Sequence, residues 1–293
     1  MPHARVNGVK LYYEETGSGT PIIFVHEFAG DYRSWEPQVR AFARRYRCIT
    51  FNARGYPPSD VPAPLAKYSQ DIHVDDIAGM LDALKIRRAH VVGCSMGGYA
   101  AVHFAIRYAN RAFSATAIGA GFGSDPDKRT QFLQDTEAQA KRFDSLGMPR
   151  AVSDYKVGPS RVQFQNRDPR GFEEFARQFE EHSALGSANT LRGVQAQRPT
   201  IYSLEKSLRR CKVPMLIVSG DEDDNCLEPA IFIKRVCMSA NLLVVPATGH
   251  AVNLEEPDLF NRVLLDFMTA VETGAWRPRD PRSLGKSTLS NRG

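Results

Sequence analysis

The stretch Gly93-Cys94-Ser95-Met96-Gly97 holds the residues best arranged to do chemistry. It follows the apolar run His90-Val91-Val92 and leads into a helical segment from Ser95 to about Tyr108. A strand that turns sharply into a helix holds one side chain in a strained backbone conformation at the sheet edge. Gly93 and Gly97 leave room for such a turn, because a β-carbon at either place would collide with it. Ser95 then projects its hydroxyl into open space. The Met96 backbone N–H falls at the helix N-terminus, where unpaired donors and the helix dipole favour a negative oxygen. The chemistry implied is attack by a hydroxyl on a carbonyl, with an amide holding the oxyanion. The bare G-x-S-x-G pattern is weak, since roughly one random chain in ten of this length would contain it. Its strand-to-helix context is what strengthens it.

A serine hydroxyl needs a base at neutral pH. Of the seven histidines, His250 is best placed, in Thr248-Gly249-His250, after an apolar run and before the last amphipathic helix. Loops that follow strands carry the catalytic groups of open α/β sheets. The other histidines read as structural or solvated, with His73 and His182 in surface segments. A histidine base needs a carboxylate to hold its tautomer and stabilise the imidazolium. Four consecutive acids, Asp221, Glu222, Asp223 and Asp224, follow the apolar run Met215 to Ser219, and any of them could serve or be a solvated loop residue.

The elements that must position these residues follow from hydrophobic period. Asn7-Gly8 between short apolar runs predicts a hairpin. Continuous apolar runs at Pro21–Val25, Cys48–Phe51, His90–Val92, Ala112–Ile118, Met215–Val218 and Leu242–Val245 predict strands buried on both faces. Helical spacing covers Asp31–Tyr46, Asp75–Leu84 and Pro257–Val271. Alternation of strand and helix on both sides of the middle third predicts a mostly parallel sheet wrapped by helices. Residues 122–205 break the alternation. They carry twelve acids and twelve bases, no convincing strand, and helical stretches at Thr130–Phe143 and Phe172–His182. They read as a helical cap inserted into a core made of 1–121 and 206–275. The last segment, 276–293, reads as a loosely held basic tail.

Charge narrows the classes of partner. The 293 residues carry a formal charge of +5. From Trp276 onward five bases (Arg277, Arg279, Arg282, Lys286, Arg292) face one acid, Asp280, so +4 of that charge lies in the tail. A near-neutral body argues against nucleic acid as a partner. Five cysteines without C-x-x-C spacing argue against a disulfide framework or a zinc ribbon. No apolar run reaches the roughly 18–20 residues of a membrane span, and the first residues lack a signal-like core. The expectation is a cytoplasmic protein that binds a small molecule, away from membranes, with a homodimer allowed.

Together these residues resemble the α/β-hydrolase superfamily, in its capped subgroup of small-molecule hydrolases, over roughly residues 5–272. The motifs carrying the resemblance are Gly93-Cys94-Ser95-Met96-Gly97-Gly98, His26-Glu27-Phe28-Ala29-Gly30, Asn52-Ala53-Arg54-Gly55, Gly220-Asp221-Glu222-Asp223 and Gly249-His250. The order serine, acid, histidine is the one this superfamily uses. The resemblance implies an eight-stranded, mostly parallel sheet, with 122–205 as the lid. It implies Ser95 as nucleophile and His250 as general base and acid. Asp223 becomes the preferred acid because it is the third residue after Gly220, with Asp221 and Asp224 as lesser candidates. The backbone amides of Phe28 and Met96 would form the oxyanion hole, and no metal or cofactor is called for. Glu27 departs from the family, whose members usually have glycine there. A carboxylate beside a developing oxyanion opposes it unless it faces solvent or an arginine. Asn52 replaces a common aspartate and is read as shaping the turn. Cys94 is read as core.

The function expected is hydrolysis of a carboxylic ester or lactone of a small, partly apolar molecule. Hydrolysis of a C–C bond or an amide is an alternative. It would draw on basic residues in the cap, with Arg161, Arg167 and Arg192 as candidates, although each reads first as a surface residue. A hydrolase-like receptor with little turnover is the remaining alternative.

Overall fold

The computed structural model describes residues 2–156 and 158–284. The first hairpin pairs β1 (His3–Val6) with β2 (Val9–Thr16), and the Asn7-Gly8 turn places both residues at positive φ, 47° and 82°. The parallel strands are β3 (Thr20–Val25), β4 (Tyr46–Phe51), β5 (Ala89–Cys94), β6 (Ala112–Ile118), β7 (Met215–Gly220) and β8 (Ala240–Val245). The sheet runs β1-β2-β4-β3-β5-β6-β7-β8 and is parallel from β4 onward. β3 lies out of chain order between β4 and β5. The chain therefore reverses its winding there, and the strand ends beside this switch form a crevice for a site.

Residues alternate between the two faces of each strand. Ile23, Val25 and Val91 join one core with α2 (Gln70–Ala83), α3 (Met96–Arg107) and α10 (Asp224–Val236). Ile22, Phe24, Val92 and Cys94 join the other, with Trp35, α1 (Glu36–Phe42), α11 (Val252–Glu255) and α12 (Pro257–Glu272). Cys94 is therefore core, as read. β5 is buried throughout because both faces are covered.

Two sequence expectations need correction. The helix expected over Asp31–Tyr46 is split. Asp31 accepts from Arg33 N and exchanges bonds with Ser34, closing a 3-10 turn over Tyr32–Trp35 before Pro37 opens α1. A short polar side chain competing for local N–H groups ends a pattern that hydrophobic period would extend. β8, expected to be buried on both faces, is an edge strand with Val244 38% exposed. Its run of Leu and Val resembles that of a central strand, and only its place in the sheet order leaves it uncovered.

Between β6 and β7 the chain forms α4 (Arg129–Leu146), α5 (Met148–Tyr155), α6 (Val162–Arg167), α7 (Pro169–Glu180), α8 (Ala184–Asn189), a π-helical turn over Thr190–Gln195 and α9 (Glu205–Arg210). No strand occurs there among the described residues. An apolar cluster of Phe143, Phe164, Phe172, Phe175 and Phe179 fills this layer and reaches down to Phe28 and Met96.

The tail begins attached. Trp276 N donates to Ala270 O at 2.8 Å, its ring packs edge-on against Phe267, and Arg279 N donates to Met238 O at 2.8 Å. Trp276 and Arg279 are thus held against the body, most of 277–284 is exposed, and the rest of the expected basic tail, 285–293, lies outside the described residues. Among the described residues, no helix is long and apolar enough to cross a membrane.

Candidate active site

Ser95 sits between β5 and α3 at φ 52° and ψ −111°. Such backbone is costly for a residue with a β-carbon and persists where surroundings enforce it. Here a β-carbon on Gly93 would lie 2.1 Å from Gly97 O, and one on Gly97 would lie 2.0 Å from Val25 O. Ser95 N donates to Ile118 O at 2.7 Å, tying the turn to β6. Within 89–100, Ser95 alone is half-buried and every neighbour is buried.

The four acids after β7 separate sharply. Asp221, Glu222 and Asp224 are exposed, whereas Asp223 is 4% exposed at the start of α10. Its Oδ2 lies 2.7 Å from His250 Nδ1. Burial alone would raise the Asp223 carboxyl; His250 outweighs it and holds the group below its ordinary value. Burial alone would lower His250, and Asp223 outweighs it, so the imidazole lies above its ordinary range. Glu255 braces the same loop by accepting from Gly249 N at 2.7 Å and Ala251 N at 2.9 Å. Ser95 and His250 border one cavity of about 290 Å³ under α4 and the strap 158–161. At ~30 Å³ per water this holds about ten waters, the scale of a small molecule.

The loop after β3 is fixed through its carbonyls. Ala53 N donates to His26 Nε2 at 3.0 Å, so the other ring nitrogen, Nδ1, is the donor to Glu27 O at 2.7 Å. Burial lowers His26 to about 4, in keeping with a neutral ring in this structural role. Tyr56 OH donates to Phe28 O at 3.0 Å. Asn52 accepts from Tyr32 N at 2.8 Å and donates to Pro57 O at 2.7 Å, a turn-shaping role. The Phe28 ring packs among Phe143, Tyr155 and Phe179.

Three polar contacts join this loop to the helices above it. Arg161 clasps Glu27 through both terminal nitrogens, with Nη1 at 2.9 Å from Oε1 and Nη2 on Oε2. The two side chains are 2% and 3% exposed. His182 Nε2 lies 3.5 Å from Asp31 Oδ2, and Arg33 Nη1 donates to Glu181 Oε2 at 2.7 Å. Burial would raise the Glu27 carboxyl, but Arg161 holds it below its ordinary value. Glu27 therefore faces an arginine and not solvent. Arg161, expected at the surface, is buried and lines the cavity. Arg167 reaches Glu256 and Ala247 O instead, and Arg192 binds Glu137 and Asp144. His73 and His182 are buried at 3% and 6%, not in surface segments. Sequence pattern had no means to select Arg161, because its partner lies 134 residues away.

Asp223, Cys226 and His250 are one group of possible metal donors, with ligand atoms within 4.8 Å of one another. The Cys226 thiol donates to Gly119 O at 3.2 Å, and burial pushes it well above its ordinary value. With Asp223 and His250 already bonded to each other, the group reads as a hydrogen-bonded support better than as a cation cage.

Residues 20–257 match the alpha/beta hydrolase fold family. The chain belongs to that family. Among relatives of this α/β hydrolase, the 3-oxoadipate enol-lactonase 1 of Acinetobacter baylyi is 24% identical over 86% of this chain and 89% of its own. The 2-hydroxy-6-oxononadienedioate/2-hydroxy-6-oxononatrienedioate hydrolase of Burkholderia vietnamiensis is 27% identical over 89% and 91%. The solved structure of Est816, described as an N-acyl homoserine lactone degrading enzyme, is 27% identical, covers 91% of this chain and 100% of its own, and superposes with a TM-score of 0.75. These likenesses support hydrolysis as the activity of this α/β hydrolase.

Proposed function

We propose that this protein is a serine hydrolase that cleaves a carboxylic ester or lactone of a small, partly apolar molecule. One observation carries the reading: Ser95 and His250 open on the same cavity while His250 Nδ1 rests on buried Asp223. His250, with Nδ1 committed to Asp223, presents Nε2 as base. It takes the Ser95 proton as the hydroxyl attacks the carbonyl. The amides of Met96 and Phe28 receive the oxyanion, and a donor of this kind is worth about 3 kcal/mol. His250 then protonates the leaving alcohol, and water repeats the sequence on the acyl-enzyme. The lactone arm draws support from the acyl homoserine lactone degrading enzyme.

The test is labelling of Ser95 by a fluorophosphonate. Labelling at Ser95 supports the reading. Tight ligand binding with no labelling would favour a receptor.

The base must be neutral to act. Because Asp223 raises the His250 pKa, kcat/KM should climb with pH through an inflection above the ordinary value of about 6.5. An inflection near 6.5 or below would mean that burial outweighs Asp223 at the imidazole. Asp223→Asn should cut kcat by about 10³–10⁴ by presenting the wrong tautomer. Asp224→Asn, on an exposed neighbour, should leave kcat unchanged.

A further inference from the structure

The charged side chains lining the cavity, among the described residues, are Asp135, Arg161 and the titratable His250. Asp135 is exposed on α4 and brings a negative charge to the opening. Arg161 is the cation that a substrate carboxylate would seek. Its planar fork binds a carboxylate through two parallel bonds, and Glu27 already occupies that fork. The guanidinium also lies over the Phe175 ring, whose centroid is 5.0 Å away. Arg161 Nε is buried with no hydrogen-bond partner. That N–H can donate to a neutral carbonyl, but a carboxylate there cannot take the two parallel bonds that the fork gives Glu27. A substrate anion approaching Arg161 would meet Glu27 at the same guanidinium, and two like charges in a buried site repel strongly. The remaining walls are uncharged: Phe132 and Leu191 are apolar, and Tyr155, Gln139 and Gln195 are neutral hydrogen-bonding groups.

We propose that Glu27 is a specificity residue. By neutralising Arg161 it sets the cavity against carboxylate-bearing substrates, so the enzyme selects esters and lactones whose acyl and alcohol parts carry no negative charge. This rests on the reading of Ser95 as the nucleophile. It also separates the chain from hydrolysis of diacid ring-cleavage products, which would need a free basic pocket.

The test compares p-nitrophenyl butyrate with mono-p-nitrophenyl glutarate, an ester whose acyl chain ends in a carboxylate. The wild type should favour the butyrate in kcat/KM by about a hundredfold. Glu27→Gln frees the Arg161 fork and should move that ratio at least about tenfold toward the glutarate ester. Glu27→Asp keeps a counter-charge, and with it the fold, but shortens the reach; it should move the ratio the same way by at least about threefold. A second arm needs no turnover: 10 mM glutarate should raise the thermal midpoint of Glu27→Gln by supplying the missing counter-ion, while wild type responds no more than it does to glutaramide. A wild-type ratio near one, or a ratio unmoved in both variants, overturns the proposal. So does glutarate stabilising wild type beyond glutaramide. If wild type turns over neither ester, the hydrolase reading fails, and the glutarate arm still decides the charge selection.

Discussion

Replacing Ser95 by alanine should abolish turnover of p-nitrophenyl butyrate, lowering kcat by about 10⁴–10⁶. The fold should survive. Ser95 holds its strained φ of 52° because Gly93 and Gly97 are clamped against their neighbours. Alanine meets the same backbone constraint without a new clash, and the Ser95 hydroxyl has no structural bond in this site comparable to the N–H that binds Ile118 O. Binding should therefore persist while chemistry stops. The residual rate would come from the oxyanion amides and substrate positioning alone. The readout is steady-state kinetics beside a thermal melt. An alanine variant that keeps the wild-type rate, with an unchanged melt, removes Ser95 from the mechanism.

The second large effect concerns stability. Arg161→Met should cost about 3–5 kcal/mol, because it leaves the Glu27 charge buried and unpaired. For a chain of this size each kcal/mol lowers the melting midpoint by roughly 2–4 °C. The pH dependence gives the effect a signature. In wild type, Arg161 holds Glu27 below its ordinary value, so the pair's contribution is present at neutral pH and lost as pH falls through that lowered pKa. In the variant burial, the largest influence on Glu27, is opposed only by the two nearby histidines, and it raises the carboxyl. The group then protonates more readily in the fold than in the unfolded chain, so the deficit is largest at pH 8 and shrinks toward pH 5. Removing both charges, in Glu27→Gln/Arg161→Met, should recover most of the loss. Urea melts of the three proteins at both pH values check this. Equal stability of Arg161→Met and wild type at pH 8 would mean that the pair is solvated and holds nothing.

These results would also report on the helices over the site. The strap carrying Arg161 contacts the His250 loop, where His250 N donates to Ser160 O at 3.4 Å. Glu27, Asp31 and Arg33 each hold a partner from the helical layer. The loop that carries the Phe28 amide is thus built jointly by the sheet and the layer above it.

Much of this was legible in the chain as written. The strands announce themselves by continuous apolar runs, because a strand covered on both faces has no polar face to show. The turn around Ser95 is legible because its cause is local: two glycines within two residues of the serine, between a strand and a helix. His250 is legible for the same reason, as a glycine-histidine pair after a strand. The choice among Asp221, Glu222, Asp223 and Asp224 is different. Four acids in a row have the same chemistry and nearly the same neighbours, and burial by α10 and the His250 loop is what singles out Asp223. The break at Tyr32–Trp35 was hidden because hydrophobic period does not register a side chain capping its own turn.

The sequence by itself determined the fold class, the serine on its turn and the histidine that borders the same cavity, since short-range sterics and hydrophobic period are written within a few residues. The tertiary structure shows Asp223, which the family resemblance alone favoured over its neighbours, buried against His250, and it alone decided that Arg161 is a buried partner of Glu27 and not a surface charge. Electrostatic pairing in a low-dielectric interior depends on distance in space. Nothing in a linear pattern records that residues 27 and 161 will meet.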